Sequence, residues 1–276
     1  MRRHKISAYD ESSGKGNIRN IFIRTSTTCK DSLLCVIAAR GFGGLTKEFV
    51  YFITEQCPEL TGIILNINKD RKNAILSGDF YTLFGNDTIT DTICGNKFQI
   101  SVRSFFQVNV PQAENLYRVA MQYAESVHPN LAIELYCGTG TISLCLAKKF
   151  KHVIAAEIIP EAIQNARFNA EMNGIENIDF FCSDAADVAA MLASQHTKAD
   201  LVLVDPPRKG LTETVIDSIS TIHPESIIYV SCNPATLARD INLFRDKGYN
   251  CCRITAVDMF PRTSHVETVC LLSRNK

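Results

Sequence analysis

The sequence predicts an α/β protein with a mostly parallel, seven-stranded sheet, preceded by a smaller α+β unit. Three observations carry this. From residue 104 onward, short apolar runs alternate with helical patterns, as repeated β-α connections require. A glycine-rich turn follows the first of those runs and opens a helix. Before residue 104 the segments are strand-like and a single helix interrupts them. The chain therefore divides into 1–103 and 104–276.

The elements follow in order. Residues 1–16 are polar, contain Ser12-Ser-Gly-Lys-Gly16, and are expected to be mobile. Ile18-Arg-Asn-Ile-Phe-Ile-Arg24 alternates, Leu33-Leu-Cys-Val-Ile-Ala38 is a buried run, and Gly62-Ile-Ile-Leu-Asn-Ile67 is a third strand. A helix is expected over 46–56, with Thr46 as its cap. Tyr81-Thr-Leu-Phe84 and Lys97-Phe-Gln-Ile-Ser-Val102 complete the unit, with turns near Asn86, Asn96 and Lys69-Asp70. Pro111 opens an amphipathic helix reaching about residue 127. Strands then read at 131–135, 152–157, 177–182, 200–204 and 227–231. Between them helices read at 141–150, 160–173, 185–195 and 213–223, and another follows over 235–248. No long helix separates the last two strands, 249–258 and 266–272, so they should form an antiparallel hairpin at one edge.

Composition narrows the function. No apolar run is long enough to cross a bilayer, and no apolar stretch follows the basic N-terminus, so neither membrane insertion nor secretion is expected. The eleven cysteines follow no disulfide or zinc spacing, which reads as reduced thiols in a cytoplasmic protein without a metal. Net charge is zero, yet residues 1–50 carry nine Lys/Arg against four acids. That basic front fits a face presented to a polyanion; the plain alternative is ordinary surface scatter.

The chemistry-bearing residues gather at predicted strand ends. Glu134-Leu-Tyr-Cys-Gly-Thr-Gly-Thr-Ile-Ser143 uses Gly138 and Gly140 for a tight turn, but Ser143 stands where a dinucleotide fingerprint has its third glycine. Glu157 ends the next strand, where a carboxylate can hold both hydroxyls of a ribose. That geometry serves NAD or S-adenosylmethionine alike. Asp205, followed by Pro206 and Pro207, separates them, because an Asp-Pro-Pro turn there is typical of nucleic-acid methyltransferases. Asp184 lies where an adenine amino group is held, and it also suits a helix N-cap. Cys232 ends the apolar run Ile227-Ile-Tyr-Val-Ser-Cys232, just before a helix N-terminus, which places it as an activated nucleophile. The plain alternative is a buried free thiol.

The order of five motifs resembles the uracil-5 RNA methyltransferases, the makers of 5-methyluridine, and their wording is most like the bacterial 23S rRNA branch. The motifs are Ser104-Phe-Phe-Gln-Val-Asn109, Leu135-Tyr-Cys-Gly-Thr-Gly140, Asp205-Pro-Pro-Arg-Lys-Gly210, Val230-Ser-Cys-Asn-Pro-Ala-Thr-Leu-Ala-Arg-Asp240 and Asp258-Met-Phe-Pro-Arg-Thr-Ser-His-Val-Glu-Thr268. The resemblance implies a Rossmann-like S-adenosylmethionine-dependent methyltransferase fold. It implies cofactor contacts by Gln107, Tyr136, Glu157 and Asp205, with Cys232 as nucleophile and Glu267 as general base. Gly138 and Asp184 join the cofactor set from the residue reading. Family members begin with an RNA-binding β-barrel, which many rRNA members follow with a cysteine-rich iron–sulfur segment; neither is expected here, which puts RNA affinity and target choice in question.

The implied reaction adds the Cys232 thiolate to uracil C6, methylates C5, and lets Glu267 remove the C5 proton so that the cysteine departs. The target must leave its stack to reach the thiol. Glu267 lies inside the apolar Val266-Glu-Thr-Val-Cys-Leu-Leu272, where burial would raise its pKa and improve it as a base. Phe105 and Phe106 either pack the core or line the site, and Arg239 and Asp240 are read as buttresses of the loop. The expected partner is RNA, 23S rRNA first and tRNA second, acted on by a monomer that binds neither DNA nor membrane. A 5-methylcytosine enzyme would carry its own cysteine near Asp-Pro-Pro, and this chain has none there. An NAD oxidoreductase and a catalytically idle RNA-binding module are the remaining alternatives.

Overall fold

The computed structural model describes Arg3, residues 5–70 and residues 75–274. Met1, Arg2 and His4 of the basic tail lie outside the described residues, as do positions 71–74 beside the expected Lys69-Asp70 turn. The chain forms two compact units, one of residues 1–92 and 98–104, the other of 93–97 and 105–276.

The first unit is a four-stranded sheet. Strands β1 (Ile18–Thr25), β2 (Ser32–Ala38), β3 (Gly62–Ile67) and β4 (Asp79–Gly85) lie in that order. β2 and β3 are parallel, and the other pairs are antiparallel. The parallel pair needs a crossover, which helix α1 (Thr46–Gln56) supplies. Its Phe49 packs with Phe42, Leu34, Val36, Ile63 and Leu65 in one apolar cluster. Thr46 is not the cap: Leu45 holds that position, and the Thr46 hydroxyl instead donates to the Gly43 carbonyl at 2.8 Å. The tail expected to be mobile folds over Asp10–Lys15 into a turn. The Asp10 carboxylate accepts from the Ser12 amide at 2.9 Å, and the Asp10 amide donates to the Lys15 carbonyl at 2.7 Å.

One strand escaped the sequence reading. β5 (Thr88–Ile93) pairs with β6 (Asn96–Ser101) in a two-stranded hairpin turning at Cys94 and Gly95, whose φ angles are 51° and 71°. Ile89, Asp91 and Ile93 point inward, and the buried carboxylate hides the apolar alternation. Asp91 is satisfied there. It accepts from the Thr27 amide at 2.8 Å, the Thr28 amide at 3.1 Å, the Thr28 hydroxyl at 2.7 Å and the Thr92 amide at 2.9 Å.

The second unit is the α/β domain. It runs α2 (Val110–Tyr123), β7 (Leu131–Leu135), α3 (Thr141–Ala147), β8 (His152–Glu157), α4 (Pro160–Met172), β9 (Ile178–Cys182) and α5 (Ala185–Ser194). It continues through β10 (Leu201–Val204), α6 (Glu213–Ile222), β11 (Ser226–Ser231), α7 (Pro234–Asp246), β12 (Tyr249–Val257) and β13 (Glu267–Arg274). The sheet order is β12-β13-β11-β10-β7-β8-β9, parallel from β11 to β9. β13 is antiparallel to both neighbours, so the expected terminal hairpin forms at one edge, with β13 lying between β11 and the edge strand β12. The buried runs are short because two faces are covered; all four residues of β10 are buried. Asp184, Thr212 and Asn233 cap α5, α6 and α7 by accepting from backbone amides.

Two features of this sheet position everything that follows. Strand order reverses between β7 and β10, so the crevice of a doubly wound sheet opens at their carboxyl ends. The β11–β13 register pairs Ser226 with Ser273 and Ser231 with Thr268, so Glu267 begins β13 beside the end of β11, which Cys232 directly follows.

Asp91→Ala should cost the protein about 2–3 kcal/mol at neutral pH, because it removes the hydrogen bonds that Thr27, Thr28 and Thr92 make to a buried carboxylate. Burial alone would raise the Asp91 pKa, but the bonds from Thr27, Thr28 and Thr92 outweigh it and the carboxyl titrates below its usual value. Its stabilisation is therefore complete above the ordinary carboxylate range and is lost as pH falls through the lowered value. Thermal melts from pH 7 to pH 2 should show the parent and variant converging at the acid end; a constant gap would contradict this.

Candidate active site

The crevice at the β7 and β10 ends is built from backbone outward. Past Leu135 the chain turns through Tyr136, Gly138 and Gly140, with φ of 68°, 54° and 81°. Gly140 is required on two counts. It is left-handed, and a Cβ there would sit 3.2 Å from the Ala166 Cβ and 3.3 Å from Leu144. The cleft beside this turn is lined by Phe105, Phe106, Gln107, Tyr117, Glu134, the 136–139 turn, Thr141, Ile142 and Asp205. Four sequence-predicted residues thus meet on one surface: Gln107, Tyr136, Gly138 and Asp205. Phe106 is buried and Phe105 is 73% exposed, so one aromatic of the pair packs the core while both border the cleft.

Two predicted residues stand one step back. The Glu157 carboxylate accepts from the Gly138 amide at 3.1 Å and from the Ile159 amide at 3.0 Å, so it holds the glycine turn from behind. Asp184 caps α5 by accepting from the Ala186 amide at 2.8 Å, and its charge is felt by Tyr136. Burial, with lesser help from Asp184 and Asp240, pushes the Tyr136 phenol up to about 12.

Glu134 is the lining residue that sequence reasoning missed. It is 1% exposed, and the Ser143 hydroxyl donates to its carboxylate. Burial, with the Asp205 and Glu157 charges, pushes its pKa up to about 8. The signal was present: a carboxylate ending an otherwise apolar strand, the same clue that singled out Glu267. Tyr117 and Thr141, also missed, share a hydrogen bond of 3.0 Å at the mouth of α3.

Asp205 follows β10, and its amide donates to the Leu135 carbonyl at 3.4 Å. Burial, then the Glu267 charge, pushes its carboxyl up to about 7. Glu267 is 8% exposed and its pKa is raised by burial, with Arg208 opposing. Cys232 is half-buried between these groups. Burial, then the charges of Glu267 and Asp205, raise the thiol pKa, while a backbone hydrogen bond and Arg208 pull it down. At the start of α7, Asn233 Oδ1 accepts from the Ala235 amide at 3.1 Å.

Against known proteins, the chain matches the family model described as tRNA (Uracil-5-)-methyltransferase over residues 82–275. It is 42% identical to uncharacterized RNA methyltransferases of Listeria innocua and of Clostridium acetobutylicum, each over 99% of this chain and 60% of the relative. The chain thus spans about 60% of the length of these curated relatives. Among solved structures it is similar to the tRNA (uracil-54, C5)-methyltransferase of Pyrococcus abyssi in complex with S-adenosyl-L-homocysteine. That match has a TM-score of 0.82 and 28% identity, covering 98% of this chain and 64% of that one. Fold, strand-end motifs and the family match agree: the chain has the Rossmann-like methyltransferase fold and belongs to the tRNA (uracil-5-)-methyltransferase family.

Proposed function

We propose that this chain carries the machinery for S-adenosylmethionine-dependent methylation of uridine C5 in RNA, with 23S rRNA as the substrate class. The observation that supports the reading most is the β11–β13 register, which ends at Ser231 and Thr268, the chain neighbours of Cys232 and Glu267, close to an acidic cleft. The cleft residues fit the cofactor. Glu134 and Asp205 line it and, among the described residues, no lysine, arginine or histidine does, which suits a sulfonium cation and opposes the pyrophosphate of NAD. Gln107, Tyr136, Gly138 and Asp205 would hold the cofactor directly, with Glu157 and Asp184 at the neighbouring strand ends. When bound, S-adenosylmethionine supplies the electrophilic methyl that C5 accepts.

The chain's own residues do the rest. The Cys232 sulfur bonds to C6, and the displaced electron pair makes C5 nucleophilic. After C5 is methylated, Glu267 takes its proton. The C5–H pair re-forms the ring double bond and the S–C6 bond breaks, returning the thiolate. Asp205 and Glu267 share this corner, and burial raises both pKa values, which makes each a better proton acceptor. The basic surplus of residues 1–50 assigns the 1–103 segment an RNA-facing role. Among the described residues no helix is long and apolar enough to cross a membrane. We read the protein as a cytoplasmic monomer acting on RNA rather than DNA. A tRNA uridine is the second reading, favoured by the likeness to the Pyrococcus abyssi enzyme.

Incubation of total RNA with labelled cofactor, followed by nuclease digestion and mass spectrometry, should locate 5-methyluridine in 23S rRNA. Label in tRNA would favour the second reading, and label in cytidine or in no nucleotide would overturn the assignment. Cys232→Ala should lose at least about a thousandfold in methyl transfer while still binding cofactor. RNA with 5-fluorouridine at the target should trap the parent protein covalently. Glu267→Gln should stall with ordinary uridine RNA attached; normal turnover by that variant would remove Glu267 from the mechanism.

The buried acids set a second expectation. A cationic ligand favours ionised Asp205, whose proton leaves near pH 7, whereas S-adenosylhomocysteine carries no sulfonium charge. Calorimetry should show S-adenosylmethionine binding about tenfold weaker at pH 6 than at pH 8, with S-adenosylhomocysteine far less affected. Parallel pH dependence for the two ligands would count against Asp205 facing the sulfonium.

A further inference from the structure

Asp240 is a fully buried carboxylate outside the reacting set, and its bonds join a loop, a strand and its own helix. Its Oδ2 accepts from the Leu211 amide at 2.8 Å and from the Tyr229 hydroxyl at 2.7 Å. Its Oδ1 accepts from Arg239 Nε at 2.7 Å. The Arg239 guanidinium then donates through Nη2 to the Lys209 and Leu211 carbonyls, each at 3.0 Å. One turn earlier on α7, Asn233 Nδ2 donates to the Arg208 carbonyl at 3.1 Å, and the Thr236 hydroxyl reaches the same oxygen at 3.4 Å. The loop after Asp205-Pro-Pro is therefore gripped at Arg208, Lys209 and Leu211 by side chains of the helix that follows Cys232.

Gly210 shows how closely the two pieces fit. A Cβ on it would lie 2.5 Å from Asp240 Oδ2 and 2.7 Å from Arg239 Nη2, and its φ of 74° is left-handed. Tyr229 and Cys232 share the β11 run, so Asp240 touches the strand that carries the thiol, the loop that carries Arg208, and its own helix. The clamp spans the two segments whose side chains must meet at the substrate.

We propose that Asp240 is a positioning residue: with Arg239 it locks the 207–211 loop onto α7, so that Arg208 and Asp205 keep a fixed register with Cys232. The inference rests on the reaction proposed above, and it concerns how that site is held rather than what it does. Arg208 is the cation that favours both the Cys232 thiolate and the Glu267 carboxylate. A loosened loop moves that charge away from the thiol, and a displacement near 1 Å at a reacting centre can cost about a hundredfold in rate.

The test compares the parent with Asp240→Asn, Arg239→Gln and Arg239→Lys. Alkylation of Cys232 by iodoacetamide, followed by mass spectrometry of its peptide, gives the pH midpoint of the thiol without any RNA. Single-turnover methyl transfer and calorimetry with S-adenosylhomocysteine complete the set. Asp240→Asn and Arg239→Gln should slow the single turnover by about 30-fold or more, keep the affinity for S-adenosylhomocysteine within about threefold, and move the Cys232 midpoint upward. Arg239→Lys should recover part of both losses, since it restores a cation but not the forked geometry. An unchanged Cys232 midpoint in folded Arg239→Gln would overturn the proposal, as would a rate loss matched by an equal loss of S-adenosylhomocysteine affinity. If Asp240→Asn fails to fold, Arg239→Gln decides, because its side chain is 50% exposed and only the two carbonyl bonds and one ion pair depend on it. Should the parent methylate no RNA, the proposed reaction fails, while the alkylation midpoints still decide the clamp.

Discussion

Removing carboxylates from water at the carboxyl edge of the parallel sheet is the constraint around which this domain is organised. Glu134 and Asp205 end neighbouring strands, and among the described residues no cation lines the cleft that they share. Burial of an ionised carboxylate without a partner costs several kcal/mol or more, so such a group keeps its proton well above its usual pKa. Both acids do so, at about 8 and about 7. The fold tolerates them because a protonated acid is a modest burden and the Ser143 hydroxyl serves Glu134 in either state. The arrangement suits a ligand that brings positive charge, and it explains why the glycine turn presents backbone and not basic side chains.

The second constraint is register. In an antiparallel pair a slip of one residue sends every side chain to the opposite face. β13 pairs with β11 in the register Ser231–Thr268, which brings Glu267 to the end of β11 that Cys232 follows. Apolar packing enforces this: Val269, Cys270, Leu271 and Leu272 are all buried, and Tyr229 and Cys270 face each other across the pair. A strand made for the core thus also sets the distance between the proposed base and nucleophile. The insertion of β13 between β11 and β12 is what makes the meeting possible, because an ordinary hairpin added at the edge would leave Glu267 one strand further away.

Much of the α/β unit was legible because each strand is a short apolar run and most helices start on a recognisable signal. Pro160, Asp184, Thr212 and Asn233 mark four of those starts. The first unit was less legible. β5 buries Asp91 between Ile89 and Ile93, so a carboxylate interrupts its inward apolar face, and the tertiary bonds to Thr27 and Thr28 explain it. Thr46 looked like a cap because the residue type is right, but the preceding Gly43–Leu45 turn moves the start by one residue. At the site, Gln107, Tyr136, Gly138 and Asp205 were recognisable from motif wording, and the structure gathers them. Glu134 was quoted in its motif yet passed over, because its importance comes from burial that no motif records. The surroundings of the Cys232 thiol were not legible for a related reason: a helix terminus can be read from sequence, whereas two carboxylates arriving from β10 and β13 cannot.

That raised thiol changes how the proposed chemistry should be ordered. In the free site Cys232 sits between Glu267 and Asp205, and negative neighbours disfavour the thiolate it must become. Arg208 offsets them only in part. A cation in the adjoining cleft would offset these negative charges and favour the thiolate. On this reading the nucleophile is quiet until the methyl donor is in place, and side reactions at an exposed, permanently ionised sulfur are avoided. The same logic gives the product a weaker hold than the substrate, since loss of the methyl leaves a neutral sulfur against the same acids. Catalytic readiness and product release would then follow from one electrostatic choice, made by burying acids at the ends of β7 and β10.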